Sequence, residues 1–566
     1  MGSNDIIVRE YLESLKEDTE LDYLFPILLN LMGYRIVTTA RESKGQSQYG
    51  KDIVAIGKDD AGVRKRFYFE LKGHADKDIT QVSLFKKDGI LESIREAKFT
   101  PFTDASIPGF DNLPRQIVVV HNGVLKSDTR ASLDGVIKQE FPDGGFERWD
   151  IYRLTDLFSK YLFSEYLFTD DETIRLFKRT LVLLDAPDYD FADFFQLVQL
   201  QTDKIYDIGS RAFKKFFATM NLLSVVVTHY SKENNNLYPA KQCVTFLILN
   251  VWSWILENNL ENKRGVLKEF RKLLTIHFEL LNDYFLRTNV AVKQKDGLYS
   301  EVGSSFEVIG YPLRSMEYLN YLTYFFYARS YFPHFKNSPD EKKLKRLIVR
   351  QIEYLVRLIN LNDGAKRPLI DNHSISIMNV VLFILRNEQY IPKGRELIGD
   401  YVSEVLDNII VIKNTRDRFP ELYNNIEAVT EFCATNIRPH FYTDSSSLLI
   451  TMLFEVLAIV GDKENYEAYR ASFKNNIDLQ VAYSNLDTED LEILLFKKNL
   501  YNEMHVETGI ILPDNIDDFK KQIQLKNTIV RTYKTDQVGL PFLRYLAQIF
   551  YRNEFLPDEW RRYLIP

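Results

Sequence analysis

Residues 52–72 read DIVAIGKDDAGVRKRFYFELK, and this stretch decides how the N-terminal part of the chain folds. Asp52 to Gly57 and Arg66 to Gly73 are rich in β-branched and aromatic residues, the composition of strands. Between them Asp59, Asp60 and Gly62 supply turn chemistry. An antiparallel hairpin turning about Ala61 places Asp52 opposite Glu70, at a strand separation of about 4.8 Å. Side chains alternate along a strand, so Phe69 and Leu71 turn to one face, and Glu70 and Lys72 to the other. Two carboxylates facing each other are unfavourable unless a cation lies between them. Oxygen donors with no His or Cys beside them suit Mg²⁺ or Mn²⁺. Lys72, one side-chain step further on the same face, is placed to position or help deprotonate a water and to offset the charge of a phosphate.

Working outward, Leu21, Leu24, Phe25, Leu28, Leu31 and Met32 recur at helical spacing and predict a helix from Thr19 to Met32. Thr19 is its expected N-cap, Pro26 an awkward interior residue and Gly33 its stop. A strand from Tyr34 to Ala40 and a polar loop from Arg41 to Lys51 follow. Beyond the hairpin, a helix is expected over Thr80 to Lys98. RQIVVVH at Arg115 to His121 reads as a strand buried on both faces, ended by Asn122-Gly123. A helix from Asp128 to Phe141 and a short strand from Trp149 to Tyr152 complete an α/β region with a mixed sheet. From about Leu157 the pattern turns almost wholly helical, with no fixed repeat. The expected organisation is a domain over residues 1–165 and a large all-α region over 166–566.

Gly50-Lys51-Asp52-Ile53 and Phe69-Glu70-Leu71-Lys72 resemble the acidic and E-x-K motifs of the PD-(D/E)xK nuclease superfamily. The helix ending at Gly33-Tyr34 resembles the entry of its Mrr-like restriction endonucleases. Gln81 followed by Phe85 resembles a Gln-bearing helix that follows the E-x-K strand in many members. The run Ile117 to Gly123, and Trp149-Asp150 followed by Leu154 and Leu157, resemble the last strands and closing helix. The resemblance covers about residues 10–165. Lys51 stands where the motif's name has Pro, a frequent departure.

The resemblance implies a restriction-endonuclease-like fold and metal-dependent hydrolysis of phosphodiester bonds, leaving a 5′-phosphate. It implies Mg²⁺, with Mn²⁺ as the alternative, held by Asp52, Glu70 and the Leu71 carbonyl. Asp22, eleven residues before Gly33, is the positional match for a further helical acid, with Glu20 second. Gln81 joins Asp52, Glu70, Lys72 and Asp22 as an expected catalytic residue. Lys44 and Lys51, flanking the Gly50 loop, and His74 are candidates for substrate contact; a solvated loop is the plainer reading of all three.

Composition limits the remaining choices. With 566 residues, 45% hydrophobic and 27% charged, the chain is an ordinary globular protein of roughly two to four domains. Its 72 basic and 79 acidic residues leave a net charge of −7, which excludes a polycationic nucleic-acid coat but not a locally basic cleft. Residues 1–165 are themselves net acidic, so a basic groove shared with the helical region is expected. Two cysteines, Cys243 and Cys433, cannot build a disulfide framework, and a reducing, cytoplasmic location is expected. The N-terminus is acidic and polar, unlike a signal peptide, and the longest apolar run, around Val244 to Leu256, is too interrupted to span a membrane. DNA is favoured over RNA as the partner. The layout of a nuclease joined to a sensing region resembles effectors of prokaryotic restriction and anti-phage defence, and implies a homo-oligomer answering a phage or regulatory protein trigger. The alternatives are an inactive nuclease fold serving as a nucleic-acid-binding or scaffold protein, and an RNA-cleaving nuclease. For the last, Arg271 and His277 faintly resemble the R-x5-H motif of helical HEPN ribonucleases.

Overall fold

The hairpin at 52–72 lies within a mixed five-stranded sheet of order β1-β2-β3-β4-β5. The computed structural model describes residues 3–39, 50–73, 76–104, 106–162, 168, 170–186, 189–203, 211–331, 341–474, 476–484, 491–500, 505–524 and 531–564. Strands β1 (Arg35–Thr39), β2 (Ile53–Lys58) and β3 (Arg64–Lys72) form an antiparallel meander. Strands β4 (Arg115–His121) and β5 (Phe146–Trp149) add in parallel beyond β3. A parallel neighbour needs a crossover. α3 (Gln81–Phe85) and α4 (Ile90–Phe99) supply the first, and α5 (Arg130–Glu140) the second.

Aromatic residues seal one face of the sheet. Phe67 and Phe69 stack with ring centroids 5.8 Å apart. Phe25, from α2 (Asp22–Leu31), meets Phe69 at 5.2 Å, and Trp149 of β5 meets it at 5.5 Å. On the other face Val54, Tyr68 and Ile117 pack with Ala97 of α4 and with Phe110, while Val119 packs with Leu84, Ile94 and Leu133.

Several expected boundaries move, each for a local reason. A helix, α1 (Ser3–Ser14), precedes the expected first one. A π-helical turn at Glu17–Leu21, closed by Leu21 N–H to the Lys16 carbonyl at 2.9 Å, then runs into α2. Thr19 therefore lies inside a turn rather than at a cap. Pro26 stays inside α2, where it offers no N–H to the Asp22 carbonyl. The helix expected over 80–98 breaks at 86–89, where Asp88 takes a left-handed φ of 56°. The strand expected at 149–152 ends at Trp149, because Asp150 caps α6 (Ile151–Tyr161) by accepting the N–H groups of Tyr152 and Arg153.

Contacts divide the chain into two compact units, one of residues 1–247 with 269–276, the other of 248–268 with 277–566. The expected boundary near 165 falls within the first unit, and position 165 itself lies outside the described residues. The sheet does not end that unit. Helices α7 (Asp171–Leu183) and α8 (Ala192–Asp203) pack on each other, and α1 packs on both α6 and α9 (Arg211–Glu233). Helices α10 (Tyr238–Glu257) and α11 (Arg264–Val292) each contribute residues to both units.

The second unit is mainly helical. Its interior includes α12 (Glu307–Tyr331), α14 (Ser374–Arg386) and α17 (Leu448–Val460). Around them lie α13 (Glu341–Leu361), α15 (Gly394–Arg416) and α16 (Ile426–Thr435). The expected all-α character does not hold. Gln480–Ser484 and His505–Ile511 pair as an antiparallel ribbon, their β-branched and aromatic residues favouring extended backbone. A buried ion pair fastens the ribbon. Arg561 meets Glu455 at 2.6 Å and donates to the Ala482 carbonyl at 2.8 Å, and Trp560 donates to the same carboxylate at 2.7 Å. Among the described residues no helix is long and apolar enough to cross a membrane.

Candidate active site

The site grows from the β2–β3 register. Ile53 pairs with Phe69 and Val54 with Tyr68, and the Asp52 N–H continues the ladder to the Phe69 carbonyl at 2.9 Å. Asp52 thus stands across from Glu70, as a turn about Ala61 requires. Gly50 sets the approach to Asp52. Its φ is +67°, and a Cβ there would fall 2.0 Å from the Ser93 carbonyl oxygen on α4. Only glycine lets the loop lie so close.

Asp52 Oδ2 accepts the Leu71 N–H at 2.7 Å. Glu70 is buried, and Lys72 Nζ meets Glu70 Oε1 at 2.7 Å. Glu17, in the π turn, completes the cluster: its Oε2 accepts the Gly73 N–H at 2.9 Å and its Oε1 lies 3.9 Å from Lys72 Nζ.

Burial, then the neighbouring Glu70 charge, pushes the Asp52 carboxyl up to about 8. Burial alone would pull the Lys72 ammonium down, but the carboxylates of Glu70 and Glu17 outweigh it and hold Lys72 above the ordinary lysine value. Lys72 is therefore a fixed cation at neutral pH. Burial also brings His121 down to about 4, so its ring is neutral. His121 pairs with Lys72 across the β3–β4 ladder. Its Nδ1 lies 2.8 Å from the Lys77 carbonyl, which accepts, and its Nε2 accepts from Arg148 at 2.9 Å. Arg148 is held in turn by Asp150 at 3.1 Å.

The structure does not gather every expected residue here. Gln81 begins α3 and donates to Ser132 Oγ at 2.8 Å and to the Asp128 carbonyl at 3.1 Å, tying α3 to the start of α5. Lys51 turns inward: its Nζ donates to the Thr100 carbonyl at 2.8 Å and sits 5.7 Å from the Tyr68 ring centroid. Burial draws it down to about 8. Lys51 is a brace between β2 and the end of α4 and is not presented to a phosphate. Asp22 heads α2 with one carboxylate oxygen buried, and Glu20 pairs with Lys215 of α9. The helical acid that reaches Lys72 is Glu17, which the helical spacing missed because the π turn adds a residue before α2. The acidic run Glu17-Asp18-Thr19-Glu20 was the signal available. Lys44 and His74 lie outside the described residues. In the second unit His277 is buried against Tyr324, so the R-x5-H pair has no open histidine.

Among the described residues no group of three or more His, Cys, Asp or Glu side chains forms a metal-ligating cluster. The donors at the site are two carboxylates with no thiol or imidazole between them, chemistry that fits a hard divalent cation. No protein-family model, curated protein or solved structure matches this chain.

Proposed function

We propose that the N-terminal sheet carries a metal-dependent endonuclease site of the PD-(D/E)xK type, acting on phosphodiester bonds in DNA. One observation carries this reading: Asp52 and Glu70 meet across adjacent strands, with Lys72 one side-chain step beyond Glu70. Asp52, Glu70 and the Leu71 carbonyl would hold Mg²⁺ or Mn²⁺, which supplies Lewis acidity toward the phosphate and a more acidic bound water. The elevated Asp52 carboxyl fits this assignment, because a cation relieves the like-charge cost that burial imposes. Lys72, kept charged by Glu70 and Glu17, orients water and offsets phosphate charge rather than accepting a proton. Glu17 positions Lys72 and the Gly73 amide.

The wider proposal is an effector of prokaryotic restriction or anti-phage defence, acting in the cytoplasm as a homo-oligomer, with the helical region sensing a phage or regulatory protein. It rests on analogy of layout.

The test is cleavage of plasmid DNA and of RNA, with Mg²⁺ or with EDTA, by wild type and by Asp52→Ala, Glu70→Ala and Lys72→Ala. Mg²⁺-dependent cutting of DNA, lost by about 100-fold or more in each variant, is the expected result. Cutting of RNA alone moves the substrate class. Activity that survives all three substitutions removes the chemistry from this sheet, and a wild type that binds DNA without cutting it makes the fold a scaffold.

A further inference from the structure

We propose that the solvent face of α13 binds the phosphate backbone of a nucleic acid. This helix carries six Lys and Arg against two Glu, on a chain whose net charge is −7. Its inner face is committed to the core, with Ile348, Ile352, Leu355 and Leu358 at most 4% exposed. On the outer face Lys343, Arg346, Arg350 and Arg357 are all exposed at helical spacing, with the exposed Glu353 standing between Arg350 and Arg357 as the one carboxylate in the row. They form a single stripe about 21 Å long at 1.5 Å per residue.

None of these four cations forms an ion pair or hydrogen bond with another described residue. Elsewhere in the same unit Arg314, Lys366, Arg438 and Arg561 each meet a carboxylate. The row is also unfavourable for the helix alone. Lys343 and Arg346 stand three apart and Arg346 and Arg350 four apart, so like charges repel, and cations in the first turns oppose the helix dipole. A partner with closely spaced negative charge removes both costs. Lys293 extends the surface sideways, its ammonium 5.9 Å from the Tyr354 ring centroid, between the turns of Arg350 and Arg357.

Backbone phosphates recur about every 3.4 Å along the axis of each strand, so the stripe matches about six base pairs. A membrane surface fits less well, because the apolar face of α13 is already buried and has nothing to insert. The choice of nucleic acid as the polyanion rests on the nuclease reading; the unpaired stripe does not.

The test uses the full chain, a labelled duplex of about 30 bp and fluorescence anisotropy in EDTA, so that no cutting is needed. Wild type is compared with the fourfold variant Lys343→Gln, Arg346→Gln, Arg350→Gln, Arg357→Gln. Affinity at about 100 mM salt should fall at least tenfold, and the slope of log K against log salt should shrink by about 0.9 for each phosphate no longer neutralised. Thermal stability of the variant should be no lower than wild type, which separates weakened binding from a damaged fold. Equal affinity and slope in the two proteins overturns the proposal, as does wild type binding phosphatidylserine vesicles but not the duplex. If wild type cuts DNA with Mg²⁺ while the variant binds unchanged, this surface is wrong and the nuclease reading stands. If the fourfold variant loses affinity and slope while wild type shows no Mg²⁺-dependent cutting of DNA, the surface stands and the nuclease reading is wrong.

Discussion

The Lys72 ammonium sits 2.7 Å from the Glu70 carboxylate two residues back on the same strand, with both side chains largely withdrawn from water. Each charge is tolerable there because of the other. Lys72→Met should therefore cost about 1–3 kcal/mol at pH 7, beyond any loss of cleavage, since it strands a buried carboxylate. Lys72→Arg keeps the charge and should recover most of that stability. Urea unfolding midpoints check both.

Asp52 gives the pH dependence a sign. Its carboxyl lies near 8 in the folded protein against an ordinary 3.8. Between those values the folded state holds a proton that the unfolded state has released. The Asp52 contribution to stability is therefore lost progressively as pH rises from about 4 to about 8. Asp52→Asn should flatten the curve and raise the melting temperature at pH 8 while abolishing cleavage. Mg²⁺ should raise the wild-type melting temperature at pH 8 by mass action and leave the Asn variant unmoved.

Glu17 is a positioning residue whose two oxygens serve two partners. Glu17→Gln keeps an acceptor for the Gly73 N–H but removes a charge from Lys72, so the Lys72 ammonium should titrate lower. Cleavage should fall about tenfold through kcat with KM little changed. Gln81→Ala, which touches α5 and not this cluster, should leave the rate at the wild-type level.

His121 works in the opposite direction from Asp52. Burial brings it down to about 4 from an ordinary 6.5, so the unfolded state binds its proton first as pH falls. Stability should be intact above about pH 6.5 and should decline toward pH 4. His121→Asn, which cannot charge, should shift the acid-unfolding midpoint downward, as tryptophan fluorescence during acid titration would record.

In the second unit, Glu455 holds both Arg561 and the Trp560 indole in a buried setting. Glu455→Ala leaves that guanidinium without its carboxylate and should cost about 3–5 kcal/mol. Glu455→Gln should cost less. Loss of the Gln480–Ser484 and His505–Ile511 ribbon amides' protection in hydrogen exchange would mark where the damage falls.

The hairpin, the turn about Ala61, the strand at RQIVVVH and the mainly helical character beyond about Leu157 could be read from the residues, because strand alternation, turn residues and helical spacing are local. The placement of Asp52 against Glu70 was legible for the same reason: the two segments are joined by one short turn. For Gln81 and Lys51 the motif position does not say which way the side chain turns. Ser132 and the Thr100 carbonyl, each distant in sequence, claim them.

Glu17 shows the other limit. Its reach to Gly73 spans 56 residues and depends on a π turn that spacing alone does not announce. Likewise the cations of α13 look in sequence like any solvated helix face; that Lys343, Arg346, Arg350 and Arg357 form no ion pair with another described residue appears only once the helices are packed. Local pattern determines which segments are strands and helices, since backbone preference and side-chain period act over a few residues. Which charges end up buried, paired or left bare is decided by tertiary packing, because desolvation and Coulomb energies depend on neighbours brought together through space.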